Sequence, residues 1–92
     1  MHEFSLAQGL HMQLLDLARG HQARKITRAE VRIGANAGVV EESFLFGVNI
    51  LIAQSPVTEG MELVILRDDG PDLMLMKVEL DAADSAADSA AD

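Results

Sequence analysis

A change in the period of the hydrophobic residues near residue 20 constrains the fold most. Before it, leucines recur at helical spacing, which predicts an amphipathic helix over residues 6–19. After it, apolar and charged residues alternate over residues 26–33, as in a strand with one face buried and the other in water. A one-sided helix and a one-sided strand can both bury their apolar surfaces when helices and sheet form separate packed layers. The two apolar faces consist of Leu6, Leu10, Leu14 and Leu17 in the helix and Ala29, Val31 and Ile33 in the strand.

A second helix is predicted over residues 41–54, which begin with acidic residues where the helix dipole favours them. Phe46 and Ile50 lie opposite its core stripe, so this helix is apolar over more of its circumference than one interface requires. Either a covering loop or a partner surface would account for the excess. The core stripe consists of Phe44, Leu45, Val48, Leu51 and Ile52.

Two further strands, at residues 61–66 and 73–80, flank an Asp-Gly-Pro-Asp turn, and we expect them to form a hairpin. Residues 1–3 are predicted to be a short extended strand, after which Ser5 and Gln8 fit a capping box that opens the first helix. The predicted fold class is α/β (α+β), with two helices packed on one face of a small, mostly antiparallel sheet of three to four strands.

The chain of 92 residues has room for one small domain, which we place at residues 1–80. Residues 81–92 repeat Asp, Ala and Ser and contain no side chain larger than Asp. Such a segment buries too little apolar surface to offset its ordering entropy, so a disordered acidic tail is predicted there.

Charge and composition exclude several classes of function. The net charge of -8 repels phosphate backbones, which argues against a nucleic-acid partner. The absence of cysteine excludes disulfides, thiolate zinc sites, iron–sulfur clusters and a cysteine nucleophile. No apolar run approaches the roughly 18 residues of a membrane span, and the first residues lack the basic start of a secretory signal. We therefore expect a cytoplasmic protein with no membrane partner.

Motifs for catalysis are missing, and we expect that the protein is not an enzyme. There is no glycine-rich phosphate loop, and no serine has the context of a nucleophile elbow. The acidic pairs Glu41-Glu42 and Asp68-Asp69 are explained by a helix first turn and by a chain turn, respectively.

The three histidines all lie within the first 21 residues. His11 borders the apolar stripe of the first helix, which favours a partly buried, hydrogen-bonded imidazole over a metal ligand. His21 follows Gly20 and is expected to interact with the last carbonyls of the helix. His2 differs, because a histidine next to the chain terminus can chelate through the terminal amine, its own amide nitrogen and its imidazole. Such a tetragonal set of nitrogen ligands suits Ni(II) or Cu(II).

Several segments together resemble the HypA/HybF family, over essentially residues 1–80 and in the family's element order. The N-terminal Met-His-Glu and the segment Ile-Thr-Arg-Ala-Glu-Val-Arg-Ile-Gly carry much of this resemblance. The segments that resemble the family are residues 1–7, 26–34, 38–40, 42–46, 59–63 and 76–80.

The resemblance implies a nickel metallochaperone that assists Ni(II) delivery in the maturation of [NiFe]-hydrogenase. It places the nickel site at Met1, His2 and Glu3, through the Met1 amine, the His2 imidazole and the amide nitrogens of His2 and Glu3. The implied partners are the nickel ion and hydrogenase maturation proteins or the hydrogenase large subunit, with urease accessory proteins in some organisms. Whether the protein forms a homodimer is left open.

One departure from the family is large. Family members carry a zinc module with two Cys-x-x-Cys pairs between the last two strands, whereas this chain has only residues 67–72 there and no cysteine. We therefore expect Ni(II) and no zinc. The alternative is a degenerate or engineered HypA-like protein-interaction module without metal-delivery activity.

Overall fold

A computed structural model describes residues 2–82 of the chain. Within this range two helices and a three-stranded sheet confirm the predicted α+β class. The second helix has the predicted bounds, the strand predicted at residues 61–66 lies at residues 62–68, and the other elements extend beyond their predicted bounds. In chain order the elements are α1 (His2–Gly20), β1 (Ala23–Gly34), α2 (Glu41–Gln54), β2 (Glu62–Asp68) and β3 (Leu73–Ala82).

The sheet is mixed, with the strand order β2-β1-β3. Strand β1 runs parallel to β2, with Arg28 opposite Glu62, and antiparallel to β3, with Ala29 opposite Val78. The predicted hairpin of the last two strands is therefore wrong, since both pair with β1 on opposite edges. The physical reason is that α2 joins β1 to β2, and a helix is the usual crossover between parallel strands. The sheet was predicted to be mostly antiparallel, but it has one parallel and one antiparallel pair of strands.

Residues 69–72 form the connection that this topology requires, because the chain must pass over the end of β1 to reach the other edge of the sheet. We call residues 69–72 the crossover. Main-chain hydrogen bonds connect the crossover and the last residue of β2 to the end of β1 and to the loop that follows β1. These are Gly34 N–H to Asp72 O (2.8 Å), Ala35 N–H to Asp68 O (2.8 Å) and Asn36 N–H to Gly70 O (2.9 Å).

The crossover leaves no room for a side chain at the end of β1. A Cβ atom added to Gly34 would lie 2.0 Å from the carbonyl oxygen of Gly70, well inside any real contact distance. Glycine at position 34 is therefore required by the close approach of two backbone segments.

The core lies between the helices and the sheet. Helix α1 contacts β1 and β3, and α2 packs against α1. The predicted stripes are confirmed except at Leu17, since their central side chains are buried and Leu6, Leu45 and Leu51 pack at the edge of the core. Leu17 is half-buried outside it. The core consists of Ala7, Leu10, Leu14, Ala18, Ile26, Ala29, Val31, Ile33, Phe44, Val48, Ile52 and Met61.

Helix α1 begins at His2, four residues before the predicted start. The extended strand predicted for residues 1–3 is therefore wrong at His2 and Glu3, and Met1 lies outside the described residues. Ser5 is exposed within the helix, so the predicted capping box is also wrong. Tertiary contacts of the first turn with α2, described below, stabilise these additional helical residues.

The boundary of the predicted tail shifts by two residues. Strand β3 continues through Asp81 and Ala82, which pair with Lys25 and Ala23 of β1. The rest of the predicted tail, residues 83–92, lies outside the described residues.

Candidate metal centre

The predicted metal site depends on the side chain of His2, which lies in the first turn of α1. His2 is the first described residue of the helix, and it is exposed. The first backbone N–H groups of a helix have no acceptor within the helix. Coordination of a metal by the amide nitrogen of His2 would thus break no hydrogen bond of the helical ladder. Met1, which would supply the amine, lies outside the described residues.

The carboxylate of Glu3 connects this turn to the start of α2. The Val40 N–H donates a hydrogen bond to Glu3 Oε2 at 3.1 Å. This bond, followed by one from the Glu3 N–H itself, holds the pKa of the Glu3 carboxyl below its usual value. Val40 occupies the N-cap position of α2, and its aliphatic side chain provides no cap hydrogen bond. The Glu3 carboxylate therefore supplies an anionic acceptor at a helix end that favours negative charge.

A close contact between the helices fixes the same turn from a second direction. A Cβ atom at Gly47 would lie 2.9 Å from Cδ1 of Phe4 and 3.2 Å from Cβ of Ala7. Glycine at this position thus allows α1 to lie against α2 at its N-terminal end. With the contact between Glu3 and Val40, it holds the His2 turn on the body of the domain.

The other two histidines lie away from this turn. His11 Nε2 is 3.2 Å from Thr58 Oγ1, and the Thr58 hydroxyl donates its proton to the Ile52 carbonyl oxygen at 3.0 Å. Because that hydroxyl has one proton, it accepts from His11, which places the imidazole proton on Nε2. Partial burial lowers the pKa of His11. The interpretation of His11 as a hydrogen-bonded, partly buried residue is confirmed.

His21 sits at the opposite end of α1 from His2. Its backbone N–H donates to the Leu17 carbonyl oxygen at 3.1 Å, so it interacts with the end of the helix as expected. Across residues 2–82, no three or more His, Asp or Glu side chains come together in a way that could hold a metal ion.

One carboxylate of each acidic pair has a structural partner. Glu41 binds the guanidinium of Arg67 through both its oxygens, with Arg67 Nε 3.1 Å from Oε1. Asp68 Oδ1 accepts a hydrogen bond from the Gly70 N–H at 2.9 Å within the turn. Asp68 thus serves the turn that its position in the sequence indicates, whereas Glu41 forms an ion pair with a residue far away in the sequence.

The structure has a groove between the two helices, and the sequence singled out only one of its two aromatic residues. Its volume is about 490 Å³, and it opens beside the first turn of α1. The excess of apolar residues on α2 singled out Phe46, but the periodicity of α1 did not single out Phe4. The groove is lined by Glu3, Phe4, Glu42, Ser43, Phe46 and Gly47.

In the described part of the chain, neither helix combines the length and the apolar character that crossing a bilayer requires.

Known proteins resemble this chain in both sequence and fold. Residues 1–71 match the sequence model of a family described as hydrogenase/urease nickel incorporation, metallochaperone, hypA. The hydrogenase maturation factor HypA of Azorhizobium caulinodans is 36% identical over 70 residues, which are 76% of this chain and 61% of that relative. HypA of Caldanaerobacter subterraneus subsp. tengcongensis is 41% identical over 64 residues, or 70% of this chain and 55% of that protein.

The fold agrees with these matches. The solution structure of the Ni metallochaperone HypA from Helicobacter pylori superposes with a TM-score of 0.75 at 18% identity, covering 87% of this chain and 97% of the other. The chain spans about 61% of the length of the Azorhizobium relative. With the family match over residues 1–71 and more than 30% identity to relatives over most of its length, the chain belongs to the HypA family.

Proposed function

We propose that this chain binds one Ni(II) ion at its N-terminus and passes it on during [NiFe]-hydrogenase maturation. The ligands are the Met1 amine, the His2 imidazole and amide nitrogen, and the Glu3 amide nitrogen. The observation that carries the proposal is the exposed His2 in the first turn of α1, in a chain that belongs to the HypA family.

The position of this turn suits a nitrogen chelate. Ni(II) favours tetragonal nitrogen coordination, for which the amine and both amides must lose protons. The negative charges of the two deprotonated amides offset the charge of the Ni(II) ion, so the complex places no net positive charge at the helix N-terminus, where the helix dipole would oppose it. The Glu3 side chain is already engaged with Val40, so Glu3 would contribute its main-chain nitrogen while its carboxylate anchors the turn.

In this proposal the protein is a carrier and not an enzyme, and nickel is its cargo. Its partners are hydrogenase maturation proteins or the hydrogenase large subunit, with urease accessory proteins as a second destination. We expect the fold to form without zinc, because residues 69–72 join β2 to β3 directly and main-chain hydrogen bonds connect them to the end of β1 and the loop after it. The alternative remains a protein-interaction module of the same fold without metal delivery.

Nickel titration by calorimetry of untagged protein tests the chelate. We expect one ion per chain, with proton release on binding and an affinity that falls as the pH falls. The His2→Ala variant should lose the site. Four residues, Gly-Ser-Gly-Ser, added before Met1 should also abolish it, because the Met1 nitrogen becomes an amide and the new amine lies too far along the chain to join the His2 chelate, while every side chain is retained.

The matched control is His21→Ala, which removes an exposed imidazole from beyond the other end of α1 and should leave the titration unchanged. If the extended protein bound nickel with the same stoichiometry and affinity, the terminal chelate would be refuted. The interaction module would then be the better description of this chain.

A further inference from the structure

The groove between the N-terminal ends of α1 and α2 has two aromatic walls. Phe46 is 70% exposed and Phe4 is 44% exposed, although both are large apolar residues. Gly47 lies between them and has no side chain that would fill the groove. We call this feature, lined by the six residues named above, the aromatic groove. Exposed aromatic surface that borders a concavity is typical of a protein-binding site.

The rim of the aromatic groove is acidic. Glu3 and Glu42 lie on it, and none of its described lining residues is basic. Neither Lys nor Arg occurs anywhere in α2, and the one Arg of α1 is in its last turn. The local charge therefore has the same sign as the net charge of the whole chain, and the groove attracts cationic groups.

We propose that the aromatic groove binds a segment of another protein that places a large apolar side chain between Phe4 and Phe46 and flanks it with Lys or Arg. The apolar side chain occupies part of the groove, whose volume is about 490 Å³, and the basic residues lie next to Glu3 and Glu42 on the rim. This docking site goes beyond nickel binding and does not depend on it, since none of the contacts described requires a metal.

Two other occupants fit the chemistry less well. The chain's own residues 83–92 contain Asp, Ala and Ser, and so bring negative charge to a negative rim and no large apolar side chain. A second copy, related by a two-fold axis through this face, would bring the acidic rims of both copies together. Like charges across such a contact oppose association.

A random peptide library displayed on phage tests the proposal with purified, metal-free protein. We expect an enriched consensus with an aromatic or large aliphatic residue next to Lys or Arg. A synthetic peptide with that consensus, measured by fluorescence anisotropy, should bind more weakly as salt rises. No consensus, or an acidic one, would overturn the proposal.

Paired variants locate the binding site on the protein. Phe46→Ser should weaken binding of the consensus peptide by about tenfold or more, as expected for an aromatic anchor, without unfolding the protein. Met12→Ser is its control, because Met12 is also an exposed helix residue (62% exposed) but lies outside the groove. Glu42→Lys should weaken binding, whereas the same charge change at exposed Glu59, outside the groove, should have a much smaller effect.

Sedimentation equilibrium decides between a partner and a second copy. We expect the wild type and Phe46→Ser to have the same mass. A dimer of the wild type that dissociates in Phe46→Ser would overturn the partner proposal and identify a second copy as the occupant. Equal peptide binding by wild type and Phe46→Ser would show that the groove is not the site. Because these assays contain a chelator, their failure would leave the nickel titration unaffected.

Discussion

Replacing Gly34 by alanine should destabilise the fold at the crossover. The added Cβ would meet the Gly70 carbonyl oxygen at 2.0 Å, so either β1 or the crossover must move. If the crossover moves, it weakens its two main-chain hydrogen bonds to Gly34 and Asn36, each with a net contribution of about 1 kcal/mol. If it stays, overpacking costs about 1–3 kcal/mol. Since alanine also lowers the entropy of the unfolded chain, we expect a net loss of about 1–3 kcal/mol.

Urea unfolding followed by circular dichroism measures this loss, because the chain has no Trp or Tyr to report by fluorescence. Gly9→Ala is the matched control, since position 9 is exposed in the middle of α1 and has nothing within 4 Å of an added Cβ. There the same substitution should stabilise the protein, by up to about 1 kcal/mol. A Gly34→Ala variant as stable as the wild type would refute the close approach of the two backbone segments.

Three further predictions concern the core, pH and metals. Leu14→Ala should lower the free energy of unfolding by about 2–5 kcal/mol, whereas exposed Met12→Ala should change it by less than about 0.5 kcal/mol. Because burial lowers the pKa of His11 in the folded state, stability should fall as the pH drops from the unfolded value of about 6.5 through the lowered folded value. Urea titrations should show a shallower fall for His11→Gln over that range. EDTA should leave the circular dichroism spectrum and melting temperature unchanged, and melting by EDTA would reveal a structural metal.

Most of the secondary structure could be predicted because the side chains that form the core carry the signal. The stripe of α2 and the alternation in β1 each report one buried face, and the structure buries those faces. The start of α1 could not be predicted in this way. Its first turn depends on contacts of Glu3 and Phe4 with residues about 40 positions away in sequence, which local patterns do not encode.

The pairing of the last strands shows a different limit. The turn at residues 68–72 was recognised, but a turn does not determine which strands pair. A better signal was available in the order strand, helix, strand over residues 26–66, which is typical of two parallel strands joined by a helix. Once β2 lies parallel to β1, the short connection can place β3 on the free edge of β1.

The sequence and the structure each reveal only part of the predicted metal site. A histidine at position 2 is visible in the sequence, and the structure adds that it is exposed at the start of a helix. The anchoring role of the Glu3 carboxylate is a tertiary property and could not be read from the sequence. The binding of nickel itself stays a prediction, which the titration of the extended chain tests.

A chain of contacts links the crossover to the first turn of α1, and its weakest link determines how much a change at one end affects the other. Glu3 binds the Val40 N–H, the next residue Glu41 binds Arg67, and Asp68 then begins the turn into the crossover. The ion pair in this series is exposed, with 62% of the Arg67 side chain accessible, so solvent screens it. Coupling through this link is therefore weak. Gly34→Ala should thus lower stability while its Ni(II) affinity changes by less than about fivefold, and a larger change would show a second route between the two ends.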